Sequence, residues 1–291
     1  MSGPLKIIDP HIHFFDFDNG HYHWLKPEHP PFWPNKKSLQ QNFSVADLNL
    51  NGEIQLDGLV HIEAGYDNQH PEKELDFLAS LKLPRYKAIA CADLTQENFA
   101  HSLATLMTYE HFSGVRHIID DQGERLLNDP VFEKNLALLA EHNLVFEAQL
   151  DCCDLDCAIR LAELGGKYPQ LQICVNHCGI LRDFNQWPAL PDYARWRAAM
   201  HYFADQENFA LKISGMEMQN PRWSWDHARW LVHKLANLFT DDRIMLASNF
   251  PINLLAMPYD TLWLGYRDEL GLSEATFQAY SYDNAKRIYR L

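Results

Sequence analysis

The sequence predicts an α/β protein folded as a (β/α)8 barrel, on three observations. The apolar period switches repeatedly between two and about 3.6 residues. Eight short β-branched or aliphatic runs follow one another, and helical stretches with recognisable end signals lie between several of them. At 291 residues the chain has room for one barrel or two smaller domains. No linker, low-complexity stretch or internal repeat divides it, so a single domain over 1–291 is expected.

Taken in order, the expected strands are 6–14, 57–64, 86–94, 114–119, 144–151, 171–179, 209–216 and 244–251. Asp129 followed by Pro130 is a cap and a first-turn proline ahead of a helix over 131–142. A second helix, 156–168, is expected to end near Gly165-Gly166. A third, 224–239, carries Trp230, Leu231, Leu235 and Leu238 as an inward apolar stripe. Residues 15–45 are rich in His, Pro and Trp and have neither period. A loop of that length leaving the first strand belongs at the catalytic face of a barrel, either as a substrate lid or as an aromatic plug on the rim.

Composition narrows the function. With 47% hydrophobic and 22% charged residues, the chain is neither disordered, collagen-like nor a coiled coil. Its net charge of -14, without any Lys/Arg run, disfavours nucleic acid and leaves a small molecule as the expected partner. The N-terminal stretch has neither a signal peptide nor a membrane helix, so a cytoplasmic protein is expected, with no membrane partner. Six cysteines with no Cys-x-x-Cys pair read as free thiols. Eight Trp and twelve Tyr suit a homodimer interface, or equally a large core and a lined pocket.

The chemistry-bearing residues cluster at expected strand ends. His11 and His13, at i and i+2 on the first strand, point to one face and can share a metal ion or a substrate. Strand parity places His177 with Ile173 and Val175, leaving Cys174, Asn176 and Cys178 opposite, which argues against a Cys/His zinc site. Cys152, Cys153 and Cys157 read as core or loop thiols. Lys212 shares a face with Ser214 and reaches either the pocket or a buried ion pair. Glu63 and His61 share a face of the second strand by the same parity.

Six segments together resemble the amidohydrolase-related (amidohydrolase 2) family, in its branch of sugar-acid lactonases and pyrone-dicarboxylate lactone hydrolases. They are Asp9-Pro10-His11-Ile12-His13, Gly114-Val115-Arg116, Asn176-His177-Cys178-Gly179, Leu211-Lys212-Ile213-Ser214-Gly215, Ala247-Ser248-Asn249-Phe250-Pro251 and Asn284-Ala285-Lys286-Arg287-Ile288-Tyr289. The resemblance covers essentially the whole chain. It implies a distorted (β/α)8 barrel that hydrolyses a carboxylate-bearing lactone or related ring. It places the family's histidines on His11, His13 and His177, and a carboxylate-binding arginine on Arg116, the alternative for Arg116 being an ion pair with a barrel carboxylate such as Glu147.

One departure stands out. Where many relatives end the eighth strand with a general-base aspartate, this chain has Asn249, and a carboxamide accepts no proton at neutral pH. Glu63 is the spare carboxylate expected to replace it as base, metal ligand or both, the alternative being an ion pair with Arg116. His11, His13, His177 and Glu63 would make a zinc site of three nitrogens and one oxygen, although a lactone is activated enough to open without a metal. The expected protein is therefore a lactone hydrolase, metal-assisted or metal-independent. Its catalytic set is Glu63, Asn249 and His177, its substrate contacts Arg116, Lys212, Trp24 and His61, and its one divalent cofactor, if present, zinc. A decarboxylase of the same broader family and a catalytically silent ligand-binding barrel are the alternatives.

Overall fold

Eight parallel strands pair in sequence order in a computed structural model that describes residues 3–50, 52–181, 192–220 and 222–291. They are β1 (Leu5–Ile12), β2 (Ile54–Ile62), β3 (Arg85–Cys91), β4 (Phe112–Ile118), β5 (Val145–Gln149), β6 (Gln172–Val175), β7 (Phe209–Ile213) and β8 (Ile244–Leu246). Each lies within or against one of the eight expected runs. All eight stop short of the expected C-terminal end, and after the last three the chain leaves the sheet through left-handed residues: His177 to Ile180 after β6, Gly215 after β7 and Asn249 after β8.

The sheet curls into a nearly closed (β/α)8 barrel. β8 has only three residues, and its seam with β1 is made just beyond its end. There Ile12 bridges Phe250, Asn249 N donates to His11 O at 2.9 Å, and His13 N donates to Phe250 O at 2.7 Å. Asp9 rivets the same seam: Oδ1 accepts from Ser248 N and His11 N, and Oδ2 from the Tyr259 hydroxyl. Its burial pushes the carboxyl up to about 6.

Helices cover the outside: α1 (Glu72–Ser80), α2 (Phe99–Leu106), α3 (Gly123–Leu127), α4 (Pro130–Glu141), α5 (Leu155–Lys167), α6 (Tyr193–Ala204), α7 (Met216–Gln219), α8 (Trp225–Ala236), α9 (Tyr259–Glu269), α10 (Glu274–Gln278) and α11 (Asn284–Tyr289). Only the first crossover lacks an α-helix; it carries three short 3-10 turns. Asp129 caps α4 as expected, its side chain accepting from Val131 N. α5 ends at Lys167, just past Gly165 and Gly166, as expected. A Cβ on Gly165 would meet the Phe209 ring at 2.2 Å, so this glycine makes room for β7. On α8, Ala228, Leu231, Val232 and Leu235 form the buried stripe, while Trp230 turns sideways onto the ring of Tyr193 in α6.

Ile8, Val60, Ile62, Ile89, Val145, Cys174, Ala210 and Met245 fill the barrel interior, joined by Ala285, Ile288 and Tyr289 of α11. α11 sits under the N-terminal strand ends, since Asn284 Nδ2 donates to the Asp241 and Ile244 carbonyls at the start of β8. The opposite, C-terminal face is the one at which barrel enzymes build their sites. All six cysteines are free thiols. Among the described residues no helix is long and apolar enough to cross a membrane.

Candidate active site

The first-strand histidines meet the sixth-strand histidine at the C-terminal face. The His11 ring lies 5.0 Å from that of His13 and 4.6 Å from that of His177, centroid to centroid. His177 does not arrive by strand parity. β6 ends at Val175, its inward residues are Cys174 and Asn176, and His177 swings in on a left-handed turn with φ 52°. Gly215, at φ 72°, makes that turn possible, because a Cβ there would stand 2.5 Å from His177 Nδ1.

Each ring has a defined chemical state. His13 Nδ1 lies 2.7 Å from the Ile62 carbonyl, which only accepts, so Nδ1 carries the proton and Nε2 is bare. His177 Nδ1 is 3.0 Å from Ser214 Oγ. Both ring nitrogens of His11 are buried without a hydrogen-bond partner among the described residues. Burial holds all three rings well below the ordinary histidine range. For His11 the charges of His177 and Lys212 add to burial; for His13, those of Arg116 and His61; for His177, those of Arg116 and Lys212. Three neutral imidazoles therefore face two cations at pH 7.

Those cations are each tied to a carboxylate. Lys212, on β7, lies 2.7 Å from Glu147 Oε2, both fully buried. Asn176 Nδ2 and the Tyr289 hydroxyl also donate to Glu147, so its charge is satisfied from β6, β7 and α11 together. Lys212 is thus the buried ion-pair partner that the sequence allowed. Arg116 pairs with Glu63 instead of Glu147: Nε donates to Oε1 and Nη2 to the Glu63 carbonyl, both at 2.6 Å. Its Nη1 reaches Gln149 Oε1 at 3.3 Å, leaving about two of the five guanidinium N–H groups for a ligand.

Glu63 is accordingly not a free base. Its Oε1 is held by Arg116 and its Oε2 accepts from Gly65 N at 3.1 Å. Parity also misplaces its neighbour. The inward residues of β2 are Val60 and Ile62, whereas His61 faces α1, where its Nε2 donates to Glu74 Oε1 at 3.0 Å while Nδ1 accepts from Phe14 N. His61 therefore holds α1 to the rim, with both ring nitrogens engaged. Glu63 stands one residue past the strand, where alternation no longer applies.

Residues 15–45 lie along the β1–β2 side of the face. Trp24 donates Nε1 to Ala64 O at 2.7 Å and is separated from His13 by the Phe15 ring. Trp33 packs on Trp24, and His29 is exposed, so the segment forms a wall beside the histidines. Lys36 fastens it from within: its buried ammonium donates to the carbonyls of Trp24, Lys26 and His29 at 2.6–3.0 Å.

A zinc site here would draw on the side chains of His11, His13, His177 and Glu63. The unpartnered ring of His11 favours one, but the only carboxylate in the expected set is consumed by Arg116. Among the described residues no group of three or more His, Cys, Asp or Glu side chains is arranged to hold a metal ion. As folded, the expected set of His11, His13, His177 and Glu63 does not fit the metal.

Sequence reasoning placed Ser214 and Glu147 in the barrel but turned Asn176 away from the site, and it missed Glu217 altogether. This carboxyl sits on α7, accepts from Asn249 Nδ2 at 2.7 Å, and is pushed up to about 7 by burial. It follows Gly215 by two residues in an otherwise apolar stretch, and no periodic signal marks it.

Comparison with known proteins now gives these features a context. The chain is 28% identical to an uncharacterized protein of Sinorhizobium fredii, over 99% of both chains. Its fold matches an amidohydrolase of Burkholderia multivorans with bound zinc (TM-score 0.80, 20% identity, 98% of this chain and 99% of that one). It also matches a proposed 2-pyrone-4,6-dicarboxylic acid hydrolase of Pseudomonas putida (TM-score 0.70, 18% identity, 98% of each chain). The amidohydrolase family model spans residues 8–291, and the chain belongs to that family.

Proposed function

We propose that this amidohydrolase-family barrel hydrolyses a small ring ester carrying a carboxylate. The observation that carries the reading is the meeting of three neutral imidazoles beside the buried cations Arg116 and Lys212. Fixed hydrogen-bond donors on a buried floor polarise a carbonyl and stabilise the oxyanion that forms on it. The free N–H groups of Arg116 suit the ligand's carboxylate. His13, with Nδ1–H committed to Ile62, presents a bare Nε2 that takes a proton from water as the water oxygen adds to the carbonyl carbon. The ring C–O bond then breaks, and the proton passes to the departing alkoxide, leaving an open hydroxy acid. The resemblance of the fold to the Pseudomonas putida protein supports this substrate class.

A panel of aldonolactones and pyrone carboxylates, followed by acid release at constant pH, tests the reading. Ring opening is expected, with His13→Ala lowering kcat/KM by roughly a hundredfold. Turnover is expected to survive exhaustive chelation; a loss restored by zinc would overturn the metal-free route. Carbon dioxide release would assign a decarboxylase, and binding without turnover a silent barrel.

A further inference from the structure

The end of β8 lacks a carboxylate of its own, yet one reaches it from the neighbouring loop. Glu217 is 4% exposed, and its Oε1 takes the Asn249 Nδ2 hydrogen at 2.7 Å. Among the described residues no cationic side chain pairs with it. The ionisable groups facing it are the Cys178 thiol, from the turn after β6, and the Tyr266 phenol, from α9. Burial first, and then the charge of Glu217, hold both protonated, Cys178 at about 12.

Asn249 is fixed at two points. Its backbone, at φ 61°, donates to the His11 carbonyl, and its amide meets Glu217. A carboxamide has a donor end and an acceptor end, and a carboxylate can engage only the donor. Ionised Glu217 therefore leaves Asn249 Oδ1 as the end without a protein partner among the described residues. A protonated carboxyl can instead donate to Oδ1, which turns the amide over and leaves the NH2 free.

We propose that Glu217 is a positioning residue whose charge state decides which end of the Asn249 amide, oxygen or NH2, is left for the water or substrate beside His11. The ionised form leaves an acceptor that can orient the attacking water, and the protonated form withdraws it. Because Glu217, buried without a counter-ion, titrates at about 7, the change falls near neutral pH. The structural claim stands alone; its effect on turnover rests on the hydrolase reading.

Full-length protein with 13C-labelled glutamate and 15N-labelled asparagine, titrated by NMR from about pH 5 to 9, tests it. The Asn249 side-chain amide is expected to shift with the same midpoint as the Glu217 carboxyl carbon and to lose that shift in Glu217→Gln. Glu217→Asp, which keeps the charge, should move both midpoints together, and it serves if the glutamine variant fails to fold. An Asn249 amide that ignores the Glu217 transition, or titrates unchanged in Glu217→Gln, overturns the proposal. On any lactone that is opened, Glu217→Gln should lower kcat/KM about tenfold at pH 8 and little at pH 6. Absence of turnover with every lactone would defeat the hydrolase reading and leave the NMR result to decide the positioning.

Discussion

His13 and Glu63 mark how far single residues can be read from the chain. The first-strand pair is legible because two histidines at i and i+2 must share a face, and His11 and His13 do approach each other. Glu63 and His177 lie just past strand ends, where backbone dihedrals, not alternation, aim the side chain. Glu217 is invisible beforehand because its partner Asn249 is 32 residues away in sequence. Gly215 is the residue on which the histidine cluster depends most directly. Gly215→Ala puts a methyl 2.5 Å from His177 Nδ1 at a φ that L residues rarely adopt. It should displace His177 and cut turnover by at least tenfold, while circular dichroism shows the barrel intact. Glu217 also leaves a mark on stability. Its folded carboxyl holds a proton more tightly than the ordinary 4.5, so the stability this brings is complete below 4.5 and is lost as pH rises through about 7. Urea unfolding should show Glu217→Gln losing up to ~3 kcal/mol less than wild type between pH 5 and pH 8.

Among the elements, strands were the easiest to foresee and the first crossover the hardest. All eight strands carry apolar runs dense enough to announce themselves, since both faces of a barrel strand are buried. The segment over residues 15–45 has no period because side-chain-to-backbone bonds shape it in place of a repeating ladder. Lys36 is its anchor, with three carbonyls around one ammonium. Lys36→Met retains the stem but leaves those carbonyls without their donor. A cost of about 2–4 kcal/mol is expected, against 1.5–3 for a typical bond to a charged group. Limited proteolysis should show the first new cleavages within residues 21–39. Cutting elsewhere first, or no change in melting temperature, would deny Lys36 this role.

Across the whole molecule, the fold class was legible because eight alternations leave few closed solutions, but the quality of the closure was not. Seven strand pairs form parallel ladders, with register shifts in β1–β2 and β3–β4, whereas among the described residues β8 meets β1 through a bridge, two flanking hydrogen bonds and the Asp9 carboxylate. Native-state hydrogen exchange should therefore find its weakest ladder amides here, with Asn249 and His13 exchanging ahead of the β4 and β5 amides. His11 and Asn249 stand on the two lips of this seam. Opening of the seam would therefore bring solvent beside the imidazoles without lifting any loop.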